Sequence, residues 1–204
     1  MSEISRRELF GLAKRVAIGA GTGAALIPAS AGAVELVEGT SDYTAGNAHI
    51  TEKAQKQCTE RGLPEEDCVS PDSMDFSNMD KVRAVIEAPI GEEWMFRGIP
   101  SALTDLSEGN REDIVDNFLR GADGGFRFTR GELIAGAVST LIFGAAHNLT
   151  DDGFATKNIP SPQILSGATF WILQRRFGFL ANVSSHATLN AIAVSWPAPD
   201  NGKK

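Results

Sequence analysis

The sequence predicts an all-α protein, a compact bundle of about four core helices that is embedded in a membrane or derived from a membrane protein. The chain has 204 residues and a formal net charge of -7, and its charged residues crowd into residues 35–132. Outside that region, four stretches carry no charged residue when histidine is counted as neutral: 16–34, 133–150, 158–174 and 177–199. Because a spanning helix needs roughly twenty mostly apolar residues, these stretches have about the required length.

The first segment, residues 1–33, has the order of an export signal. The paired arginines Arg6 and Arg7 precede the apolar Leu9 and Phe10, and an uncharged stretch follows. Small residues at positions 29, 31 and 33 form the small-x-small pattern at which signal sequences are cleaved. We expect a twin-arginine-like signal that is cut after residue 31 or 33, with an anchoring helix as the alternative. Residues 19–24 also match the dinucleotide fingerprint, but no strand precedes them, so the match predicts no cofactor.

Residues 34–80 form a polar linker region without clear helical periodicity. This region contains both cysteines, Cys58 and Cys68. In an oxidising compartment they could close a small loop and stabilise it by roughly 2–3 kcal/mol. Their spacing differs from that of a redox or zinc site. The acidic net charge and the lack of long basic runs argue against a nucleic-acid partner.

Residues 81–197 form the helical core, and residues 198–204 form a polar tail. The first core helix begins with an apolar face at Val82, Val85 and Ile86, and we expect Pro89 to Gly91 to interrupt it. Further helices are expected over three stretches: 110–122, 133–148 and 164–173. A break at residues 175–178 should then separate the last helix from the one before it.

The first core helix also carries the charged residues Glu92, Glu93 and Arg97. Glu93 and Arg97 are four residues apart, so they share one helix face and can pair, whereas Glu92 points elsewhere. The bulky neighbours Trp94 and Phe96 indicate that this region is buried. A buried carboxylate is costly unless it is paired.

Two later helices repeat this four-residue spacing with polar groups. Phe143 precedes His147 by four residues near the end of one helix, and His186 precedes Asn190 by four residues in the last helix. Side chains with this spacing project from the same face. Buried polar groups must find partners, and these groups are the available partners for one another.

These residues form three motifs that resemble those of the CAAX-processing and bacteriocin-processing (CPBP) family, intramembrane endopeptidases related to the type II CAAX prenyl protease. The motifs are Glu92-Glu93-x-x-x-Arg97, Phe143-x-x-x-His147 and His186-x-x-x-Asn190. The resemblance covers residues 82–196 and implies a protease in a membrane that acts on a peptide or protein substrate, lipid-modified substrates included. Family members usually have further membrane helices where this chain has its polar linker region, so a soluble exported protein remains the alternative location.

The resemblance also implies roles for the motif residues. Glu92 is expected to be the general base that activates a water molecule, and His147 is expected to hold that water. His186 and Asn190 are expected to donate hydrogen bonds to the oxyanion of the tetrahedral intermediate. Glu93 and Arg97 are expected to form an ion pair that holds the helix of the first motif in place and keeps one carboxylate ionised.

Three alternatives are open, one for the chemistry and two for the function. Glu92, His147 and His186 could also bind zinc with an open coordination position, although Asn190 is a poor zinc ligand and the family favours a mechanism without a metal. The chain could instead be a non-catalytic CPBP-like immunity or interaction protein, or an exported binding domain whose motifs match by chance. Convergence of the motif residues on one site would argue against the binding domain.

Overall fold

The computed structural model describes residues 5–38, 78–122, 126–150 and 161–195, together with 56, 59–60, 62 and 153–154. The described part of the chain is all-α, as the sequence predicts, apart from one two-residue antiparallel bridge. Its helices are α1 (Arg6–Glu38), α2 (78–107), α3 (Ile114–Arg120), α4 (Arg130–Ala146), α5 (Ser161–Phe177) and α6 (Phe179–Ser195). The bridge joins β1 (Leu149–Thr150) to β2 (Gly153–Phe154). Cys58, Cys68 and His49 lie outside the described residues.

Helix α2 contains two π-helical turns. Its α-helical parts are Asn78–Val82, Ala88–Glu93 and Ile99–Ser107, and the turns Arg83–Glu87 and Trp94–Gly98 join them. Each turn is followed two residues later by a proline, which lacks the backbone N–H that an α-helical ladder requires. The sequence-based expectation that Pro89 to Gly91 interrupts the helix is therefore wrong, because the helix widens and continues.

The widened turns leave backbone carbonyls that other helices satisfy. Within the first turn, the N–H of Ala88 bonds to the carbonyl of Arg83, five residues earlier. By the same spacing the carbonyl of Ala84 faces Pro89, which has no N–H, and the Asn190 side chain of α6 donates to it at 2.8 Å. In the second turn, the carbonyl of Phe96 accepts a hydrogen bond from the Ser139 hydroxyl of α4. These two hydrogen bonds attach α2 to α6 and α4.

Helices α5 and α6 meet at Gly178, the last residue of the break expected at residues 175–178. The paired arginines of this break complete the last turn of α5, and Gly178 follows with a φ of 79°, a left-handed conformation that glycine adopts without strain. Helix α4 begins with a capping box, in which the Thr129 hydroxyl accepts from the Glu132 N–H and the Glu132 carboxylate accepts from the Thr129 N–H. Helix α3 starts at Ile114, four residues later than the expected helix.

The helices surround a small apolar core. Leu26 of α1, Phe143 of α4, and Phe170 and Leu173 of α5 form its buried centre. Helix α6 packs against α1, α2 and α5, and α4 packs against α2 and α5. The motif residues of α2, α4 and α6 consequently face the same interior.

Candidate active site

Glu93 is the centre of a buried polar cluster. It lies on the α2 face that packs against α6, and its side chain is 0% exposed. Its Oε1 is 2.7 Å from Nδ1 of His186 and 3.4 Å from Nη1 of Arg97. Its Oε2 accepts a hydrogen bond from Nδ2 of Asn182 at 2.7 Å. Both carboxylate oxygens therefore have partners, which offsets the cost of burying the charge.

Arg97 is held mainly by aromatic rings. Its guanidinium carbon lies 3.9 Å from the ring centroid of Phe143, 5.4 Å from that of Phe170 and 5.9 Å from that of Phe96. A guanidinium at these distances is attracted to the negative faces of the rings. The expected Glu93–Arg97 contact is thus present, and the aromatic rings enclose its cationic side.

Glu92 lies at the edge of this cluster and is partly open to solvent. Its side chain is 32% exposed, and its Oε2 lies 3.8 Å from Nε2 of His186. That oxygen is itself shielded and has no hydrogen-bond partner within the described residues. The two nitrogens of His186 therefore face two different carboxylates, Glu93 at hydrogen-bond distance and Glu92 at a longer one.

The two histidines have the same tautomeric arrangement. His147 follows the last residue of α4, and its Nδ1 lies 2.8 Å from the carbonyl oxygen of Phe143. A carbonyl can only accept, so this nitrogen carries the proton and Nε2 of neutral His147 has a free lone pair. The carboxylate of Glu93 imposes the same assignment on His186. The ring of Phe143 lies beside both imidazoles, with centroid distances of 4.5 Å to His147 and 6.0 Å to His186.

Asn190 lies one helical turn beyond His186 on α6. Its amide nitrogen donates to the Ala84 carbonyl of the first π-helical turn, and it makes no described contact with Glu92 or Glu93. An amide nitrogen has two hydrogens, so one remains for another acceptor. The structure thus brings Glu92, Glu93, Arg97 and His186 into direct proximity. His147 lies against the Phe143 ring, and Asn190 bonds to the first π-helical turn.

A comparison with family models finds a match to "Type II CAAX prenyl endopeptidase Rce1-like" over residues 79–192. This match covers more than half of the chain. The chain belongs to this family. The resemblance predicted from the three motifs is confirmed, and the family supports a protease of the CAAX endopeptidase type. No curated protein and no solved structure matches the chain.

The residues matched to the Rce1-like family include the whole polar cluster but not α1. The cluster also contains a residue that the three motifs do not predict, Asn182, which is 0% exposed. Asn182 precedes His186 by four residues, just as His186 precedes Asn190. This continued spacing on α6 is the sequence signal that could have identified it.

A second buried polar cluster of this Rce1-like chain, centred on Arg175 in the last turn of α5, was also not predicted. Arg175 donates to Asp105 at 2.9 Å, to Glu132 at 2.8 Å and to the Ser101 hydroxyl at 2.7 Å. The neighbouring Arg176 donates to the second oxygen of Glu132 at 3.2 Å. These ion pairs join the carboxyl-terminal half of α2, the start of α4 and the end of α5.

The zinc alternative requires Glu92, His147 and His186 to bind the same ion. Within the part of the chain that the structure describes, no three His, Cys, Asp or Glu side chains lie close enough together to hold a metal ion. One of the two nitrogens of each histidine already faces an oxygen acceptor, which leaves one Nε2 on each ring.

Proposed function

We propose that the chain is an endopeptidase of the Rce1-like family in which Glu92 activates the attacking water. The observation that supports this role is the contrast between two adjacent carboxylates. Both oxygens of Glu93 have hydrogen-bond partners in a fully buried cluster. Glu92, in contrast, is partly exposed, and its Oε2 is buried without a hydrogen-bond partner among the described residues. A general base needs that combination of access to water and a free acceptor.

The remaining residues are proposed to hold the water and stabilise charge. Nε2 of His147 has a lone pair that can accept a hydrogen bond from the water. Nε2 of His186 lies next to Glu92, and a proton on that nitrogen would let it donate to the oxyanion while the Glu93 carboxylate stabilises the imidazolium. Asn190 would supply its second amide hydrogen to the same oxyanion.

The proposed reaction is a two-step hydrolysis. Glu92 accepts a proton from the water as the water oxygen bonds to the peptide carbonyl carbon, and the carbonyl oxygen becomes the oxyanion. The C–N bond then breaks, and the proton on Glu92 passes to the leaving amine. The products are a carboxylic acid, which then loses its proton to solvent, and an amine, and the enzyme returns to its starting state without a metal or cofactor in any step.

We further propose that the core works inside a membrane, where a lipid-modified peptide could reach it. The family is membrane-associated. The outer face of α2 exposes an apolar residue every three to five positions: Val82, Ile86, Ile90, Trp94, Ile99, Leu103 and Leu106. The outer face of α4 also exposes apolar residues: Leu133, Ile134, Val138, Leu141 and Ile142. Continuous exposed apolar faces of this length favour contact with lipid over contact with water.

The test is cleavage of peptides by the purified full-length protein in detergent, followed by mass spectrometry. The peptides end in a C-a-a-X sequence, with and without a prenyl group on the cysteine. We expect Glu92→Gln to lower kcat by at least about 10²-fold, because the amide cannot take the proton. The matched control is Glu87→Gln, which removes an exposed carboxylate from the same helix and should leave cleavage unchanged.

Two outcomes would contradict the proposal. Cleavage by Glu92→Gln at the rate of the unaltered protein would exclude Glu92 as the base. The absence of cleavage of any peptide by the well-folded unaltered protein would favour the non-catalytic immunity or interaction protein.

A further inference from the structure

Helix α1 and helix α6 lie in backbone contact through two glycines. A Cβ atom on Gly19 would collide with the carbonyl oxygen of Ala181, and a Cβ atom on Gly23 would collide with that of Ser185. Both collisions are with backbone atoms, which cannot move aside as a flexible side chain can. No residue other than glycine fits at either position without a shift of one helix.

The same face of α1 continues into the core beyond the glycines. Leu26 is 5% exposed and packs with Phe143, Phe170 and Leu173. Ser30, one turn further, is 1% exposed. The buried positions follow one another at intervals of four, three and four residues, which is the spacing of a helix packed lengthwise along a neighbour.

The amino-terminal sequence has two interpretations, and this packing separates them. Among the described residues, only Arg6–Ser30 is long and apolar enough to cross a membrane, and a signal sequence has that length and composition too. The expected cleavage positions after residues 31 and 33 both lie inside α1, which continues to Glu38. Loss of α1 would expose the Leu26 contact in the core and the α6 backbone beneath the two glycines.

We propose that α1 is a permanent helix of the working protein, and that its two glycines position the part of α6 that carries Asn182 and His186. Ala181 directly precedes Asn182, and Ser185 directly precedes His186. The two backbone contacts of α1 therefore lie next to the two α6 residues that bind Glu93. The positioning part of this inference rests on the proposed function, whereas the retention of α1 does not.

Retention is tested by the mass of the intact protein purified from membranes of the expressing cells. We expect a chain that still contains Arg6 to Ser30. A mature chain that begins at residue 32 or 34 would overturn the proposal, whether or not the protein cleaves peptides.

The contact itself is tested with three substitutions of one helix. Gly19→Leu and Gly23→Leu place a side chain against the α6 backbone, whereas Gly21→Leu places it in open space two residues away. We expect the first two to lower the melting temperature in detergent by about 5–10 °C, and the third to change it little. Equal melting temperatures for Gly21→Leu and Gly23→Leu would contradict the packing.

Positioning is tested with the milder Gly23→Ala, assayed well below its melting temperature. A small shift of His186 relative to Glu92 should lower kcat about tenfold with KM nearly unchanged, because the substrate still binds. Gly21→Ala is the control and should keep both values. If Gly23→Ala melts lower but keeps its kcat, the glycine is structural only and the positioning role is wrong. If the unaltered protein cleaves nothing, the proposed function fails, while the mass and melting results still decide the retention of α1.

Discussion

Asn182 completes the set of partners around Glu93, and its contribution to stability can be measured. Asn182→Leu keeps a similar size but leaves Oε2 of a fully buried carboxylate without a donor. We expect a loss of about 1–3 kcal/mol in the free energy of unfolding. The measurement is thermal denaturation in detergent, with Thr169→Val as the control, because that hydroxyl bonds, among the described residues, to the Leu165 carbonyl of its own helix turn. Equal losses in the two variants would contradict the role of Asn182.

Asn190 has two tasks in the proposed site, and a kinetic measurement separates them. Asn190→Ala removes the donor to the Ala84 carbonyl and the donor proposed for the oxyanion. We expect kcat to fall by roughly 10²–10³-fold with little change in KM, in addition to a modest loss of stability. An unchanged kcat in a variant that melts at a lower temperature would restrict Asn190 to its bond with the π-helical turn.

At the scale of helices, the ion pairs of Arg175 with Asp105 and Glu132 join α5 to α2 and α4. Arg175→Met removes the cation from between Asp105 and Glu132, whose side chains are 1% and 4% exposed. We expect a loss of about 3–5 kcal/mol, because both carboxylates stay buried and Arg175 is their nearest cation. The check is denaturation beside Arg120→Met, which breaks an exposed pair with Asp116 and should cost at most about 1 kcal/mol. Similar stabilities of the two variants would show that the cluster is dispensable.

Helix α2 contributes residues both to the cluster around Glu93 and to the cluster around Arg175, and its π-helical turns lie close to the first of these. Each turn has a backbone carbonyl that accepts a hydrogen bond from a side chain of a neighbouring helix, Ala84 from Asn190 and Phe96 from Ser139. Wide turns of this kind recur at functional sites because they re-aim the residues that follow. In this chain, the second turn directly follows Glu93 and contains Arg97.

At the scale of the whole molecule, charged side chains are buried beside the apolar core, and large apolar side chains are exposed on the outside. Among the described residues, the fully buried side chains include Glu93, Arg97, Asp105 and Gln174, whereas large apolar side chains cover the outer faces of α2 and α4. We expect the protein to remain in the membrane pellet after alkaline carbonate extraction and to be released by detergent. A peripheral protein of the same cells is the control. Release by carbonate alone would favour the soluble exported protein.

The cysteines of the polar linker region provide a separate test of location. If residues 34–80 lie in an oxidising compartment, Cys58 and Cys68 should form an intrachain bridge. Alkylation without a reductant should then modify neither thiol, and alkylation after reduction should modify both. Two reactive thiols in protein recovered without reductant would contradict an oxidising location for this region.

The sequence by itself determined the all-α class and the three motifs. Helical periodicity and the spacing of Glu93 from Arg97, Phe143 from His147 and His186 from Asn190 are local properties, and they fix which side chains share a helix face. The family match confirms the resemblance that these motifs predicted.

Only the tertiary structure decided which atoms meet between helices. Asn182 and Glu93 are 89 positions apart, and Arg175 and Asp105 are 70 apart. No local pattern selects such pairs, because the choice depends on how closely helix backbones approach and which buried charges lack a partner. The same reason applies to α1. Its amino-terminal pattern is typical of an export signal, and the backbone contact with α6, which supports our proposal that α1 is retained, is visible only in the tertiary structure.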